Sequence, residues 1–178
     1  MSAGHKIRAA VLTISDRCHR GDAQDTAGPA VSALLELGLD AEVIRAGIVP
    51  DEREQVAEAL VQAVDAGCEL VLTVGGTGCA ARDITPEATL TVIEREVPGL
   101  AEAMRAASRE VTPHALLSRA VCGIRGNSLI VNLPGSLKAA TENLEAIRSA
   151  LPHAVRLLRG ETAHPEADRH RGGSTAAG

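Results

Sequence analysis

Residues Glu69–Val74, followed directly by Gly75-Gly76-Thr77-Gly78, constrain this chain more than any other stretch. Leu70, Val71, Leu72 and Val74 form a short apolar run with two β-branched members, which reads as a strand buried on both faces. The run stops at a loop with almost no side-chain bulk. Arg82 and Asp83 come next, and Thr85-Pro86-Glu87 then opens a helix, with threonine at the capping position and proline in the first turn. In an α/β protein, strand, bare loop and helix start in succession present backbone N–H groups to an anion. A glycine turn that only lets a helix pack close to a strand leaves the same signature. The loop is neither G-x-G-x-x-G nor a Walker loop, since no G-K-[ST] follows, which argues against dinucleotide dehydrogenases and P-loop NTPases.

The segments before the loop alternate in type. Ile7–Ile14 reads as a first buried strand ending in Ser15-Asp16-Arg17, and Cys18–Gly28 as a polar loop. Ala30–Gly38 suits a short helix and Ala41–Val49 a second strand. A helix begins at Pro50-Asp51, with Val56, Ala57, Leu60, Val61 and Val64 on one face. The order β-α-β-α-β-loop-α implies a mostly parallel sheet with helices on both faces, a three-layer α/β/α sandwich. Ligands of such folds gather beyond the carboxyl ends of the strands. Ser15-Asp16, Pro50-Asp51 and the glycine loop all fall at strand ends, so three segments converge on one rim.

Beyond Thr85, a helix is expected to about Glu96, where Pro98-Gly99 breaks it. Leu100, Ala103, Met104, Ala107 and Val111 mark another amphipathic helix, and Pro113–Ser118 a connecting turn or helical piece. Ala120–Ile124 and Ser128–Leu133 read as a small antiparallel hairpin around Arg125-Gly126-Asn127. Asn132-Leu133-Pro134-Gly135-Ser136 is a second small-residue turn into a helix. Leu137, Ala140, Leu144, Ile147 and Leu151 should form its inner face, with Pro152 kinking or restarting it before Val155–Leu158. One domain is thus expected over residues 6–160, and a disordered tail over 161–178, where apolar periodicity is lost.

At 178 residues, 45% of them apolar, the chain suits a single soluble domain. No apolar run approaches bilayer length and no signal segment opens the chain, so a cytoplasmic protein without a membrane is the expectation. Cys18, Cys68, Cys79 and Cys122 stand too far apart for a C-x-x-C pair and read as reduced thiols. A net charge of −5 argues against general nucleic-acid binding. The complete absence of Phe, Tyr and Trp removes any platform for stacked bases. A bound purine or pterin ring would therefore lie on backbone, proline, aliphatic or arginine surfaces.

Two carboxylates stand at the rim. Asp51-x-x-Glu54 has the spacing of a helix cap with its capping-box partner, a structural role worth about 1 kcal/mol. Asp83 is left in the loop, because Thr85 is the better cap; it faces the ligand rim or pairs with Arg82. Ser136 is expected to cap the helix from Leu137. Lys138 then sits in the first turn against the helix dipole, which favours an anion nearby or plain solvent exposure.

Together, Thr13-Ile-Ser15-Asp16, Asp25-x-x-Gly28-Pro29, Val49-Pro-Asp51-Glu52, Thr73-x-Gly75-Gly-Thr-Gly78, Arg82-Asp-x-Thr-Pro-Glu87 and Asn132-x-Pro-Gly135 resemble the MogA/MoaB molybdopterin-binding family. Leu117-Ser118-Arg119 and Gly123-Ile-Arg125-Gly126 are similar to the G domains of the plant molybdenum cofactor protein and of gephyrin. The resemblance runs from about Ile7 to Gly160 in matching order. It implies adenylyl transfer from Mg-ATP to the terminal phosphate of molybdopterin, giving adenylyl-molybdopterin and pyrophosphate. Asp51 and Asp83 match the family's catalytic carboxylates and would hold Mg2+ directly or through water. Ser15, Asp16, Thr73, Gly75, Gly76, Thr77, Gly78, Arg82, Ser118, Asn132, Pro134, Gly135, Ser136 and Lys138 would bind substrate. The resemblance also implies a homotrimer and a molybdenum-inserting enzyme as a downstream partner. A non-catalytic pterin carrier of the same pathway is the alternative.

Overall fold

Six strands form one mixed sheet in the computed structural model, which describes residues 5–161. They are β1 (Ile7–Ile14), β2 (Ala41–Val49), β3 (Leu70–Val74), β4 (Arg95–Glu96), β5 (Cys122–Arg125) and β6 (Ser128–Leu133), in the spatial order β2-β1-β3-β6-β5-β4. β1, β2, β3 and β6 pair in parallel, and β5 runs against its neighbours β6 and β4. The expected hairpin is therefore β5–β6, turning through Gly126 at φ 53°. Helices cover both faces: α1 (Asp16–His19), α2 (Ala27–Gly38), α3 (Arg53–Asp65), α4 (Thr85–Val92), α5 (Pro98–Arg109), α6 (Leu137–Ile147) and α7 (Leu151–Leu158), with a 3-10 turn at Pro113–Leu117.

The continuous apolar runs follow from burial on both sides. In β1, Ile7, Ala9 and Val11 join one core with Val31 and Leu35 of α2, Leu100 and Met104 of α5, Leu144 of α6 and Val155 of α7. Ala10, Leu12 and Ile14 join the other core with Val56 and Leu60 of α3 and Ala88 and Val92 of α4. β6 divides the same way, with Leu129, Val131 and Leu133 against Ile130. The period of two thus sorts one unbroken apolar sequence into two cores and three layers. No described helix is long and apolar enough to cross a membrane.

Several boundaries differ from expectation, each for a physical reason. α4 stops at Val92, not near Glu96, because Arg95–Glu96 pair with β5; Glu94 N–H donates to Ile124 C=O and Val97 N–H to Cys122 C=O, each at 2.7 Å. A two-residue edge strand of Arg and Glu carries no apolar alternation to reveal it. Pro98 opens α5 as a first-turn proline and does not merely end what precedes it, while Val111 lies past the helix and is exposed. The loop expected over Cys18–Gly28 contains the end of α1 and the first turn of α2. β5 begins at Cys122, two residues later than expected. Leu137 is 46% exposed and belongs to no inner face. Pro152 restarts the chain as α7 after a break at residues 148–150. Of the expected tail, residues 162–178 lie outside those described.

At the amino-terminal end of the strands, Arg159 anchors α7 to the sheet. Its Nε and Nη2 donate to Glu69 Oε1 and Oε2 at 2.5 and 2.8 Å, and Arg8 N–H donates to Oε2 at 3.0 Å. Both side chains are under 20% exposed, at 17% and 15%. The Arg159 guanidinium, helped by the Arg8 N–H, holds Glu69 below the usual glutamate range against the opposing effect of desolvation. A lowered carboxylate pKa contributes stability that is fully present above the ordinary value of 4.5 and is lost as pH falls through the lowered folded value. Arg159→Met should therefore destabilise the protein by about 2 kcal/mol at neutral pH. Urea unfolding of both proteins should show that gap closing in acid well below pH 4.5.

Candidate active site

Because β1, β2, β3 and β6 point the same way, their carboxyl ends deliver four turns to one edge. The register pairs Ile14 with Val49, Thr13 with Val74, and Val74 with Leu133, so the turns begin at nearly one level. The first two are locked reciprocally. Asp16 N–H donates to Asp51 Oδ2 at 2.7 Å, and Asp51 N–H donates to Asp16 Oδ1 at 3.0 Å. Arg82 then spans the rim, donating through Nε and Nη2 to Asp16 Oδ2 at 3.0 and 2.8 Å and through Nη2 to Glu52 Oε1 at 2.8 Å. Both oxygens of Asp16 are thereby occupied by protein groups. Desolvation pushes Asp16 upward, but the Asp51 N–H and Arg82 outweigh it and hold it below the ordinary range. Asp51 moves the other way: burial raises it, and the neighbouring Asp16 and Asp83 charges add to that. The capping-box reading of Asp51 fails, since α3 begins after Glu52 with no side-chain cap.

The glycine loop is bare because three structures close on it. A Cβ on Gly75, at φ 116°, would lie 2.3 Å from the carbonyl oxygen of Ile14. One on Gly76, at φ 63°, would lie 2.3 Å from Thr85 Oγ1 and 3.3 Å from Asp51 Oδ1. Close packing and ligand access are thus properties of the same glycines. Thr85 does not cap α4; its hydroxyl donates to Gly75 C=O at 2.9 Å, and its N–H to Gly76 C=O at 3.1 Å. Among the described residues, the N–H groups of Gly76, Thr77, Gly78 and Gly135 have no protein acceptor. Three of these open donors lie in the glycine loop and the fourth in the turn after β6 that packs against Gly75, an arrangement suited to an anion.

Two cavities flank this loop. One, of about 260 Å3, is lined by Ser15, Asp25, Asp51, Gly75, Gly76, Asp83 and Gly135. Within it Asp83 accepts Ala80 N–H through Oδ2 at 2.7 Å, which leaves Oδ1 without a protein donor, as Oδ1 of Asp51 is too. The other, of about 250 Å3, has Thr77, Gly78, Ser118 and Pro134 in its wall, with Arg105 and His114. Its remaining surface is largely aliphatic, including Val111, Ala115 and Leu117.

Of the residues predicted from sequence, Ser15, Gly75, Gly76, Gly135, Asp51 and Asp83 meet at the first cavity, and Thr77, Gly78, Ser118 and Pro134 at the second. Asp16 and Arg82 brace the rim. Thr73 and Asn132 are fully buried, with Asn132 Nδ2 donating to Thr73 Oγ1 and Thr89 Oγ1 at 3.0 and 2.9 Å. Asn132 Oδ1 accepts Val121 N–H at 3.2 Å, so this side chain fastens β6 to α4 and to the segment before β5. Ser136 caps α6 as expected, accepting Ala139 N–H at 3.2 Å. Lys138 is 75% exposed beside Glu142 and lines neither cavity, which leaves solvent exposure as its reading. Sequence reasoning missed Asp25, whose carboxylate accepts the Thr13 hydroxyl at 2.6 Å and Gly28 N–H at 3.0 Å. The Asp25-x-x-Gly28 spacing, that of a helix-start cap, is the signal that could have found it. Glu52 and Arg119 stand, like Asp25, in family motifs but were given no role, which their long-range contacts reveal.

Comparison with known proteins identifies the family. The family model described as a probable molybdopterin binding domain matches residues 10–153. A molybdopterin adenylyltransferase of Helicobacter pylori (strain J99) is 44% identical over 156 residues, covering 86% of this chain and 89% of that one. The Drosophila melanogaster molybdenum cofactor synthesis protein cinnamon is 45% identical over 154 residues; the match covers 85% of this chain but only 26% of that longer protein. The crystal structure of the molybdopterin biosynthesis enzyme MoaB from Thermus thermophilus superposes with a TM-score of 0.81 at 49% identity, covering 86% of this chain and 97% of that one. By sequence, fold and the turns that meet at its sheet edge, this chain belongs to the MogA/MoaB family of molybdopterin-binding domains.

Proposed function

We propose that this chain catalyses adenylyl transfer from Mg-ATP to the terminal phosphate of molybdopterin, in the synthesis of the molybdenum cofactor. The observation that carries this reading is the placement of Asp51 and Asp83 in one cavity, each with an open carboxylate oxygen, against a loop with unpaired N–H groups. The polar cavity suits the phosphates of ATP, and the aliphatic one suits the pterin. Gly75 and Gly76 line the first and Thr77 and Gly78 the second, so the two reactants would meet across the loop.

In the reaction an oxygen of the molybdopterin phosphate attacks the α-phosphorus of ATP. A new phosphoanhydride bond forms, the bond between α- and β-phosphates breaks, and pyrophosphate leaves. The nucleophile is already ionised at neutral pH, so no general base is required. The protein's contribution is to hold two anions together and to compensate their charge, with the loop N–H groups placed to receive oxygen charge as it develops. Among the described residues no group of three or more His, Cys, Asp or Glu side chains could hold a metal by itself. Mg2+ needs no such group, since it takes one or two carboxylates and completes its shell with phosphate oxygens and water. Asp51 and Asp83 would hold it, and bound there it would neutralise charge on the transferring and leaving phosphates.

The same proposal includes homotrimeric assembly, hand-over of product to a molybdenum-inserting enzyme, and a cytoplasmic setting. The four free cysteines suit a reducing compartment, and the apolar strip of Leu34 and Leu37 beside Thr141 is surface that an assembly could cover. Sedimentation of the full chain should give the mass of three copies; a monomer would remove that part of the proposal.

Pyrophosphate release from purified protein supplied with molybdopterin, ATP and Mg2+ tests the activity. Product is expected; pterin binding without product would instead identify a carrier. Asp83→Asn should lower turnover about 100- to 1,000-fold, in the range of other lost electrostatic contacts, while pterin affinity stays near wild type. Unchanged turnover would contradict the role given to Asp83.

A further inference from the structure

Arg119 lies in the segment that leads to β5, far along the chain from the glycine loop, yet most of its polar contacts are with that loop and the turn after it. Its own N–H donates to Thr77 C=O at 2.9 Å. Its guanidinium donates through Nε to Gly78 C=O at 2.6 Å, through Nη2 to Asp83 C=O at 2.5 Å, and through Nη1 to Glu87 Oε1. The acceptors are three backbone carbonyls around the site and one carboxylate in the first turn of α4.

A trans peptide plane sets each carbonyl opposite the N–H of the following residue. The main-chain N–H of Arg119 fixes the Thr77–Gly78 plane and its guanidinium fixes the next one, Gly78–Cys79, so the N–H groups of Gly78 and Cys79 turn away from Arg119 and the side chain sets the second plane of the pair. The Gly78 N–H is one of the donors without a protein acceptor, and Gly78 lines the aliphatic cavity. The carbonyl of Asp83 is held in the same grip, while its carboxylate Oδ2 takes Ala80 N–H. Asp83 is thus gripped at both main chain and side chain. Glu87 anchors the outer edge of the guanidinium through Oε1, while its Oε2 is buried without a hydrogen-bond partner among the described residues. A planar fork of donors can satisfy acceptors in several directions at once, whereas an ammonium cannot reproduce the arrangement.

We infer that Arg119 is a positioning residue for adenylyl transfer: it orients the amides of the glycine loop and the main chain of Asp83 without touching the reacting atoms. The inference rests on the activity proposed above, but its structural half can be measured without it. Arg119→Lys should lower kcat about 100-fold, the scale expected when a reacting group is misplaced by about 1 Å, with KM for ATP and for molybdopterin little changed. In amide hydrogen exchange, the same variant should exchange faster over residues 77–84, with β1, β3 and β6 protected as in wild type. Glu87→Gln, which keeps the fork but weakens its anchor, should fall between wild type and Arg119→Lys in both measurements. Wild-type turnover in Arg119→Lys would overturn the inference. So would unchanged exchange over residues 77–84, since the loop would then be set without Arg119, and so would exchange that rises throughout the molecule or a variant that does not fold, since either makes Arg119 a general stabiliser of the fold. If wild-type protein itself releases no pyrophosphate, the activity proposal fails, and the exchange arm alone still decides whether Arg119 sets the loop.

Discussion

The shared direction of β1, β2, β3 and β6 is the constraint from which the site follows. Parallel strands cannot be joined by tight turns, and because they run the same way the residues that follow each of them emerge at the same edge. Ser15-Asp16, Pro50-Asp51, Gly75–Gly78 and Pro134–Ser136 are those residues. Covering both faces with helices leaves the ends of the sheet as the places where turn backbone and charged side chains can collect, and the four turns gather at this one. The absence of aromatic residues reinforces this, because the two cores are built from aliphatic side chains small enough for helices and strands to approach closely.

Charge at that edge is arranged in two grades. Asp16 is the committed carboxylate: its oxygens hold the Asp51 backbone and Arg82, and it stays ionised. Asp51 and Asp83 are the available ones, each fixed by a single backbone donor and each with one oxygen free. Acidic groups this close repel, and burial adds to the effect on Asp51, so a cation and anionic ligands relieve a tension that the protein alone sustains. In the proposed reaction the unpaired loop amides would supply the complementary positive field for phosphate. This division explains why a bare glycine loop and a row of carboxylates sit side by side.

What the sequence disclosed, it disclosed through local pattern. Runs such as Leu70–Val74 and Ser128–Leu133 announce buried strands, and the glycine loop announces itself; that Ser128–Leu133 also pairs in parallel with β3 appears only in the structure. β4 was hidden, because Arg95 and Glu96 are strand only by virtue of Cys122–Arg125 beside them. Asp51 illustrates the converse failure: its spacing to Glu54 is that of a cap, but tertiary pairing with Asp16 captured it first. Asn132 and Thr73 fall within family motifs and read as ligand contacts, whereas their polar atoms bond one another in the interior. Motif residues around a site hold the frame as often as they meet the ligand, and only coordinates separate the two. Arg119 depends on partners distant in sequence, beyond the reach of any window of residues, whereas Asp25 holds Gly28 three residues on and Thr13 twelve residues back.

The central claim is that the open amides of these turns receive phosphate between Asp51 and Asp83. An amide NMR titration of isotopically labelled protein with inorganic pyrophosphate and Mg2+ tests it most directly. The largest perturbations should fall on Gly76, Thr77, Gly78 and Gly135, with smaller ones at Asp51 and Asp83. Perturbations confined to the opposite edge, around Arg8, Glu69 and Arg159, or none at saturating pyrophosphate, would contradict the account.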